Sequence, residues 1–426
     1  MTSPAPLCSA VALLAVLPPV AAAAGLPLVD PADAGMRADH LAHIAPAVEA
    51  ELAAGQFAGA VVAIGRGGPS LPTPALVYLR AFGDRMVLPE RRPMKVDTVF
   101  DLASLTKPVA TATSIMVLLE RGRLRLADPV QKHLPEIADP HGRQITIERL
   151  LTHHSGYIPD NPLADYRLGP EEAWRRLFQL SPVDPPGTRF RYSDVNFELL
   201  GKVVERVAEK PLDEFAAEQI FRPLGMSDTG FRPSPELAAR AAATEPRSVS
   251  FGEPAQEPYP THAERKPADM LCGEVHDPRA ALLGGVAGHA GLFSTAGDLA
   301  RYAAMMLGAG KLGGGELSGH GLGGDAMGES RVLSPATVAE FTRPRDVSGA
   351  RRTAGWDARS GYSSNRGELM SPAAYGHGGF TGTSLWIDPG HDLFVIFLSS
   401  RLHPDGRGSV NPLAGRIGTI AVAAIE

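Results

Sequence analysis

Ser104 and Lys107 stand three residues apart at the start of a helical pattern, in FDLASLTKPVATATSIMVLLERGRL. Residues three apart on a helix share a face, so a hydroxyl and an amine would lie side by side at its first turn. A serine hydroxyl attacks a carbonyl only when a neighbour takes its proton. A lysine can do this when burial or nearby positive charge lowers its pKa. The pair is therefore a candidate nucleophile and base, although the same tetrapeptide also suits a solvated helix start with Ser104 as its N-cap.

Two other stretches carry groups that could complete such chemistry. Tyr192-Ser193-Asp194 precedes the helical pattern VNFELLGKVVERV. A tyrosine at that turn could reach across a cleft, and lysines nearby should lower its phenol pKa. It could then move protons for the nucleophile and for the leaving group. The other reading is a half-buried tyrosine packing the helix start. Tyr375-Gly376-His377-Gly378-Gly379-Phe380-Thr381-Gly382 enters a strand pattern. Glycines weaken a strand, so they imply close approach of another backbone or a ligand. Such an edge can bind extended substrate and offer an N–H to an oxyanion. His377 would sit at the rim, within reach of a carboxylate. A bulged strand with a surface histidine fits the same residues.

The elements that must bring these groups together follow from hydrophobic period and turn residues. RADHLAHIAPAVEAELAAG reads as a helix with a Gly stop. FAGAVVAIGR and PALVYLRAFG read as strands, and DTVFDL is a third short strand that delivers Ser104 to its helix. From Leu124 to Gly230 the pattern is mostly helical, as in ITIERLLTHH, EEAWRRLFQL and LDEFAAEQIF. Between Phe231 and Gly291 it becomes proline-rich and irregular, which suggests a cover over part of a cleft. GEVHDPRAALLGGVAGHAGLF would form a wall around His276 and His289, or a tight structural crossing. STAGDLARYAAMML is a capped helix, KLGGGELSGHGLGGDAMGES a glycine-rich loop, and AAYGHGGF, TGTSLWIDP and DLFVIFLSS a β-meander. NPLAGRIGTIAVAAIE closes the chain as a helix.

If the terminal strands pair, the fold is α+β. A central antiparallel sheet is flanked by the N- and C-terminal helices, with an all-helical lobe inserted. The expected organisation is one domain over 25–426, with an α/β lobe at 25–123 and 285–426 and a helical lobe with cover loops at 124–284.

The chain has 426 residues, 44% of them hydrophobic, which is enough for a large core. A formal net charge of −6 without a basic cluster argues against nucleic acid. LCSAVALLAVLPPVAAAA, within 1–24, reads as an export signal without a basic start, so a periplasmic or secreted protein with no membrane span in the mature chain is expected. Cys8 falls in that leader, leaving Cys272 alone, so no internal disulfide is expected. His153-His154 and Glu274-His276-Asp277 lack metal-site spacing, and neither a Gly-x-Ser-x-Gly elbow nor a P-loop occurs. Neither metal nor organic cofactor is expected.

Taken in order, Ser-x-x-Lys, the Tyr-Ser-Asp turn and the His-Gly-Gly strand resemble the serine β-lactamase and penicillin-binding-protein superfamily, in particular its class C-like branch. LLTHHSGY, PPGTRFRYSDVNFELLG, PLGMSDTGF and GGFTGTSLWIDP are similar to recurrent phrases of that branch, so the likeness runs from about Arg37 to the C-terminus. The resemblance implies that Ser104 is acylated, Lys107 is its base or relay, and Tyr192 shuttles protons. It implies an oxyanion hole from the N–H groups of Ser104 and Phe380 beside Gly378 and Gly379, with Tyr157 near the cleft. Two positions depart from the family pattern. Asp194 replaces an asparagine, which leaves Asn196 as a possible donor, and His377 replaces a lysine. Both changes argue against an efficient β-lactamase. The implied activity is hydrolysis of a D-Ala-terminated cell-wall peptide, with an ester or a β-lactam as alternative small substrates. A non-hydrolytic penicillin or peptidoglycan sensor is the rival of another class.

Overall fold

Strand β1 (Gly59–Arg66) has a run of Ala, Val and Ile that is buried along its whole length. Burial on both faces needs a cover on each side, and the alternation of side chains shows what covers them. Ala60, Val62 and Ile64 pack with Ile44 and Val48 of helix α1 (Ile44–Ala53) and with Leu413 and Ile417 of the C-terminal helix. Val61 and Ala63 point the other way, into a larger core that holds Leu299 and Ala303 of a helix at Ala296–Leu307. The computed structural model describes residues 25–71, 73–137, 139–250, 270–313, 330–404, 406 and 408–426. The leader reading therefore lies outside the described residues, as does most of the glycine-rich loop.

The central sheet has nine strands. After β1 come β2 (Ala75–Met86) and β3 (Arg92–Pro93), and later β4 (Arg345–Val347), β5 (Ala350–Arg352), β6 (Asp357–Arg359), β7 (Tyr375–Gly379), β8 (Thr383–Asp388) and β9 (Leu393–Ser399). Their order is β4-β5-β6-β7-β8-β9-β1-β2-β3, and every pairing is antiparallel. The terminal strands do pair: Ala60 lies opposite Ser399 and Arg66 opposite Leu393. The sheet is thus an α+β layer between the terminal helices and a helical block. That block includes α2 (Thr113–Glu120), α3 (Pro170–Phe178) and α4 (Asp194–Ala208). The helices named above at Ala296–Leu307 and Asn411–Ala423 are α5 and α6.

The pattern does not predict strands β3 to β6, and two of the elements it does predict differ in the structure. The first helix is split into Ala38–Leu41 and Ile44–Ala53. Pro46 falls early in the second piece, where its missing N–H and its ring would have broken one continuous helix. DTVFDL contributes only Phe100–Asp101, which pairs with Leu292–Ser294 in a separate three-stranded ribbon rather than in the central sheet. The chain must turn at Leu102 to start the next helix, which leaves no length for a sheet strand. Cys272 is a free, partly buried thiol whose pKa is raised by burial, so it is poorly suited to nucleophilic work.

Candidate active site

The nucleophile turn is held from three sides. Asp101 accepts the N–H groups of Ala103 at 2.8 Å and His276 at 2.6 Å. Thr381 donates its hydroxyl to the Asp101 carbonyl at 2.7 Å, and Thr383 donates to that of Leu102 at 3.1 Å. These anchors hold Ala103 at φ 46, a left-handed conformation that is strained for a residue with a Cβ. A 3-10 turn over Ala103–Leu105 carries Ser104, and a π-helical segment, Lys107–Ala112, follows. Such wide turns are uncommon and gather at functional sites.

This geometry brings the remote motifs together. Lys107 is fully buried and donates to Ser104 Oγ at 2.9 Å and to the His289 carbonyl at 3.0 Å. Its Nζ lies 2.6 Å from Asp194 Oδ1 and 5.1 Å from the centre of the Tyr192 ring. The Tyr192 hydroxyl interacts with both Ser104 and Lys107. Ser193 caps α4 by accepting from Asn196 N–H, so the helix start fixes Tyr192 just outside and Asp194 just inside the first turn. Behind Tyr192, the His153 ring packs at 4.4 Å and its Nδ1 accepts the Ser193 N–H at 3.1 Å. Burial, then the charges of Arg352 and Lys107, hold His153 neutral, well below its ordinary pKa.

Asp194 reverses the expected electrostatics. Burial by itself would lower the Lys107 pKa, but the charge of Asp194, with hydrogen bonds to Asp194 and the Tyr192 hydroxyl, outweighs it and leaves the pKa raised. Burial raises the Tyr192 pKa; Lys107 offsets this only in part, and Asp194 adds to it. The resting site is therefore an ammonium that donates to Ser104 beside a neutral phenol, not a neutral amine beside a phenolate.

The glycine strand forms the facing wall. Its pairing with β6 is confined to Asp357 opposite Gly376, so the edge beyond His377 is open on that side. A Cβ on Gly379 would collide with the Leu102 carbonyl oxygen, and one on Gly378 with the Asn365 amide. The close backbone approach expected from these glycines is present. A cleft of about 250 Å³ lies between the walls, lined by Ser104, Tyr192, Arg352, Asp357, Tyr362, Asn365, His377, Gly378, Gly379, Phe380 and Asn411. Phe380 is 56% exposed at its mouth and stacks on His276, ring centres 5.7 Å apart.

His377 lines this cleft but does not stand free at its rim. It is buried, and its Nδ1 lies 2.7 Å from the Gly378 carbonyl, the geometry of an N–H donor. Burial, Arg352 and Lys107 depress its pKa well below the ordinary value, so it is a neutral ring with a bare Nε2. Asn196 is not a substrate donor: its amide oxygen accepts from Ser155 at 2.5 Å, and its amide nitrogen lies 3.4 Å from His153 Nδ1. It is fully buried on the inner face of α4 and does not line the cleft. Tyr157 is likewise core, 1% exposed, and not among the cleft residues. Asp194 faces Lys107 instead of the cleft.

Sequence reasoning missed Arg352, Asp357, Tyr362, Asn365 and Asn411. They come from β5, β6, the turn at 362–365 and the start of α6, none of which carries a motif, and only the tertiary fold brings them to the site. Among the described residues, Asp194, Asp277 and His289 present donor atoms within 4.8 Å of one another. Their charge is answered by Lys107 on Asp194 and by the His289 ring on Asp277.

An antiparallel sheet carrying a glycine edge, set against a helical block that supplies serine, lysine and tyrosine, is the arrangement of a serine hydrolase. The beta-lactamase family model matches residues 44–418, and the chain belongs to that family. It is 31% identical over 379 residues to a protein of Escherichia coli (strain K12) named "Putative D-alanyl-D-alanine carboxypeptidase", covering 82% of this chain and 81% of that one. Among solved structures, a penicillin-binding protein homolog from Caulobacter crescentus superposes with a TM-score of 0.66 at 21% identity, covering 92% of this chain and 99% of that one. A class C beta-lactamase from Rhodobacter sphaeroides gives 0.62 at 19% identity, covering 89% and 98%. These structures share the fold.

Proposed function

We propose that the protein hydrolyses D-Ala-terminated cell-wall peptides through an acyl-enzyme on Ser104. The observation that carries this reading is the meeting of the Ser104 hydroxyl and the Tyr192 phenol in one cleft, with the Lys107 ammonium buried behind them and bonded to Ser104. The carboxypeptidase name of the relative above supports the substrate class. Lys107 and Tyr192 act as one titrating pair. The pair must lose a proton to become basic, and in that form it takes the proton of Ser104 as the oxygen attacks the carbonyl. The N–H groups of Ser104 and Phe380 receive the oxyanion, and Gly378 and Gly379 let substrate lie along the open edge of β7. Tyr192 returns the proton to the leaving amine, and water then releases the acyl group. We assign the site of action to the periplasm or exterior, on the leader pattern and the cell-wall substrate.

A second reading is esterase activity. The neutral His377 supports it, because it offers no cation to a substrate carboxylate where the family resemblance places a lysine. A panel of D-Ala-D-Ala peptides, p-nitrophenyl esters and cephalosporins, with intact-mass detection of the adduct, tests both. Turnover of the peptides with a Ser104-dependent adduct supports the first reading, and turnover of esters alone supports the second. A stoichiometric adduct without turnover makes the protein a sensor. An adduct retained in Ser104→Ala refutes the nucleophile.

A further inference from the structure

Behind the catalytic lysine lies a charged cluster for which the reaction above has no use. His289 is 1% exposed. Its Nε2 lies 3.1 Å from Asp277 Oδ1, and its Nδ1, which has no hydrogen-bond partner, is 3.7 Å from Glu198 Oε1. Glu198 sits one helical turn after Asp194 on α4 and accepts the Tyr166 hydroxyl at 2.6 Å. The loop carrying Asp160 faces the ring from another side, and Arg279 faces Asp277. The His289 backbone is the one that accepts from Lys107, while the neighbouring Gly288 carbonyl accepts from Thr111, one helical turn on, at 2.7 Å. A Cβ on Gly288 would collide with the Phe197 carbonyl, so glycine lets this segment press on α4 beside Asp194.

A half-buried carboxylate next to a catalytic amine is costly for base chemistry. At 2.6 Å, Asp194 holds Lys107 charged, and it also opposes ionisation of Tyr192. A second cation close to Asp194 counters both effects. We propose that His289 is a positioning residue for the Ser104 machinery: its imidazolium, anchored on Asp277, takes up part of the negative charge of Asp194, while its carbonyl aims the Lys107 ammonium at Ser104. The ring carries that charge near neutral pH. Burial would discharge it, but Asp277 and Glu198 outweigh burial and raise its pKa to about 9. Burial raises the Glu198 pKa to about 7, so its charge in the cluster changes around neutrality.

The inference rests on the acyl-enzyme reading, and one experiment separates the two. The pH dependence of kcat/KM for a p-nitrophenyl ester is measured for the full chain and for His289→Gln, Asp277→Asn, Asp194→Asn and Asp194→Asn/His289→Gln. Removing a nearby cation raises the pKa of either candidate base, the Lys107 amine or the Tyr192 phenol. The rising limb in His289→Gln should therefore move up by about one pH unit, a loss of about tenfold on the limb that narrows toward the plateau. Asp277→Asn discharges the ring by removing its counter-ion and should move the limb the same way, which covers failure of the first variant to fold. Without Asp194 the His289→Gln shift should vanish. A limb that stays in place, or an equal loss at every pH, overturns the inference and leaves the acyl-enzyme intact. A wild-type chain that neither turns over nor acylates sinks both.

Discussion

At the residue scale, the aspartate after Tyr-Ser raises the proton affinity of both Lys107 and Tyr192. Asp194→Asn removes the anion that raises both Lys107 and Tyr192. Both proton affinities fall, so the rising limb of kcat/KM should move to lower pH, opposite in sign to the effect of His289→Gln. A pH profile on a soluble ester reads the shift directly, and an upward shift would contradict the charge assignment. Lys107→Ala should slow acylation by about a hundredfold or more, on the scale of a positioned acid–base group, as read by single-turnover adduct formation. The legible residues were those fixed by backbone position. Ser104 and Lys107 are one helical turn apart, a local signal even though remote anchors shape the turn, and Tyr192 stands at a cap. Asn196 and Tyr157 were misread because which face of α4 meets the cleft, and how deeply the Tyr157 loop sinks, depends on contacts remote in sequence.

At the element scale, the glycines of β7 and of the 284–291 crossing are steric statements. Gly379→Ala would force the strand off the Leu102 carbonyl and spread the two walls. Acylation should drop sharply while the far-ultraviolet spectrum stays native; unaltered acylation would show that the wall spacing is not critical. Gly288→Ala meets backbone, not a yielding side chain. It should cost about 3 kcal/mol in urea unfolding, the upper range for overpacking a filled core. The helices and the β7-β8-β9 meander were readable because period and turn residues are local signals. The short strand before Leu102 was readable as a strand, but its pairing was not, since its partner at Leu292–Ser294 is nearly two hundred residues away.

On the scale of the whole molecule, buried charge links stability to pH. For His289 the folded pKa lies above its ordinary value, so its contribution is complete below about 6.5 and is lost as pH rises through about 9. The Asp277 pKa, lowered by its partners, acts the other way, and its contribution is lost only in acid. The urea midpoint should therefore fall between neutrality and about pH 9, and His289→Gln should flatten that fall. A parallel decline in the variant would place the titrating group elsewhere. The sheet order carries a different consequence, one for biosynthesis. β1 leaves the ribosome early, with one edge filled by β2, but the strand that fills the other edge, from Leu393 to Ser399, is among the last parts made. During most of translation the nascent chain holds a bare apolar edge that only its own tail can close. A stop codon just before position 393 should therefore yield inclusion bodies and not a shortened hydrolase.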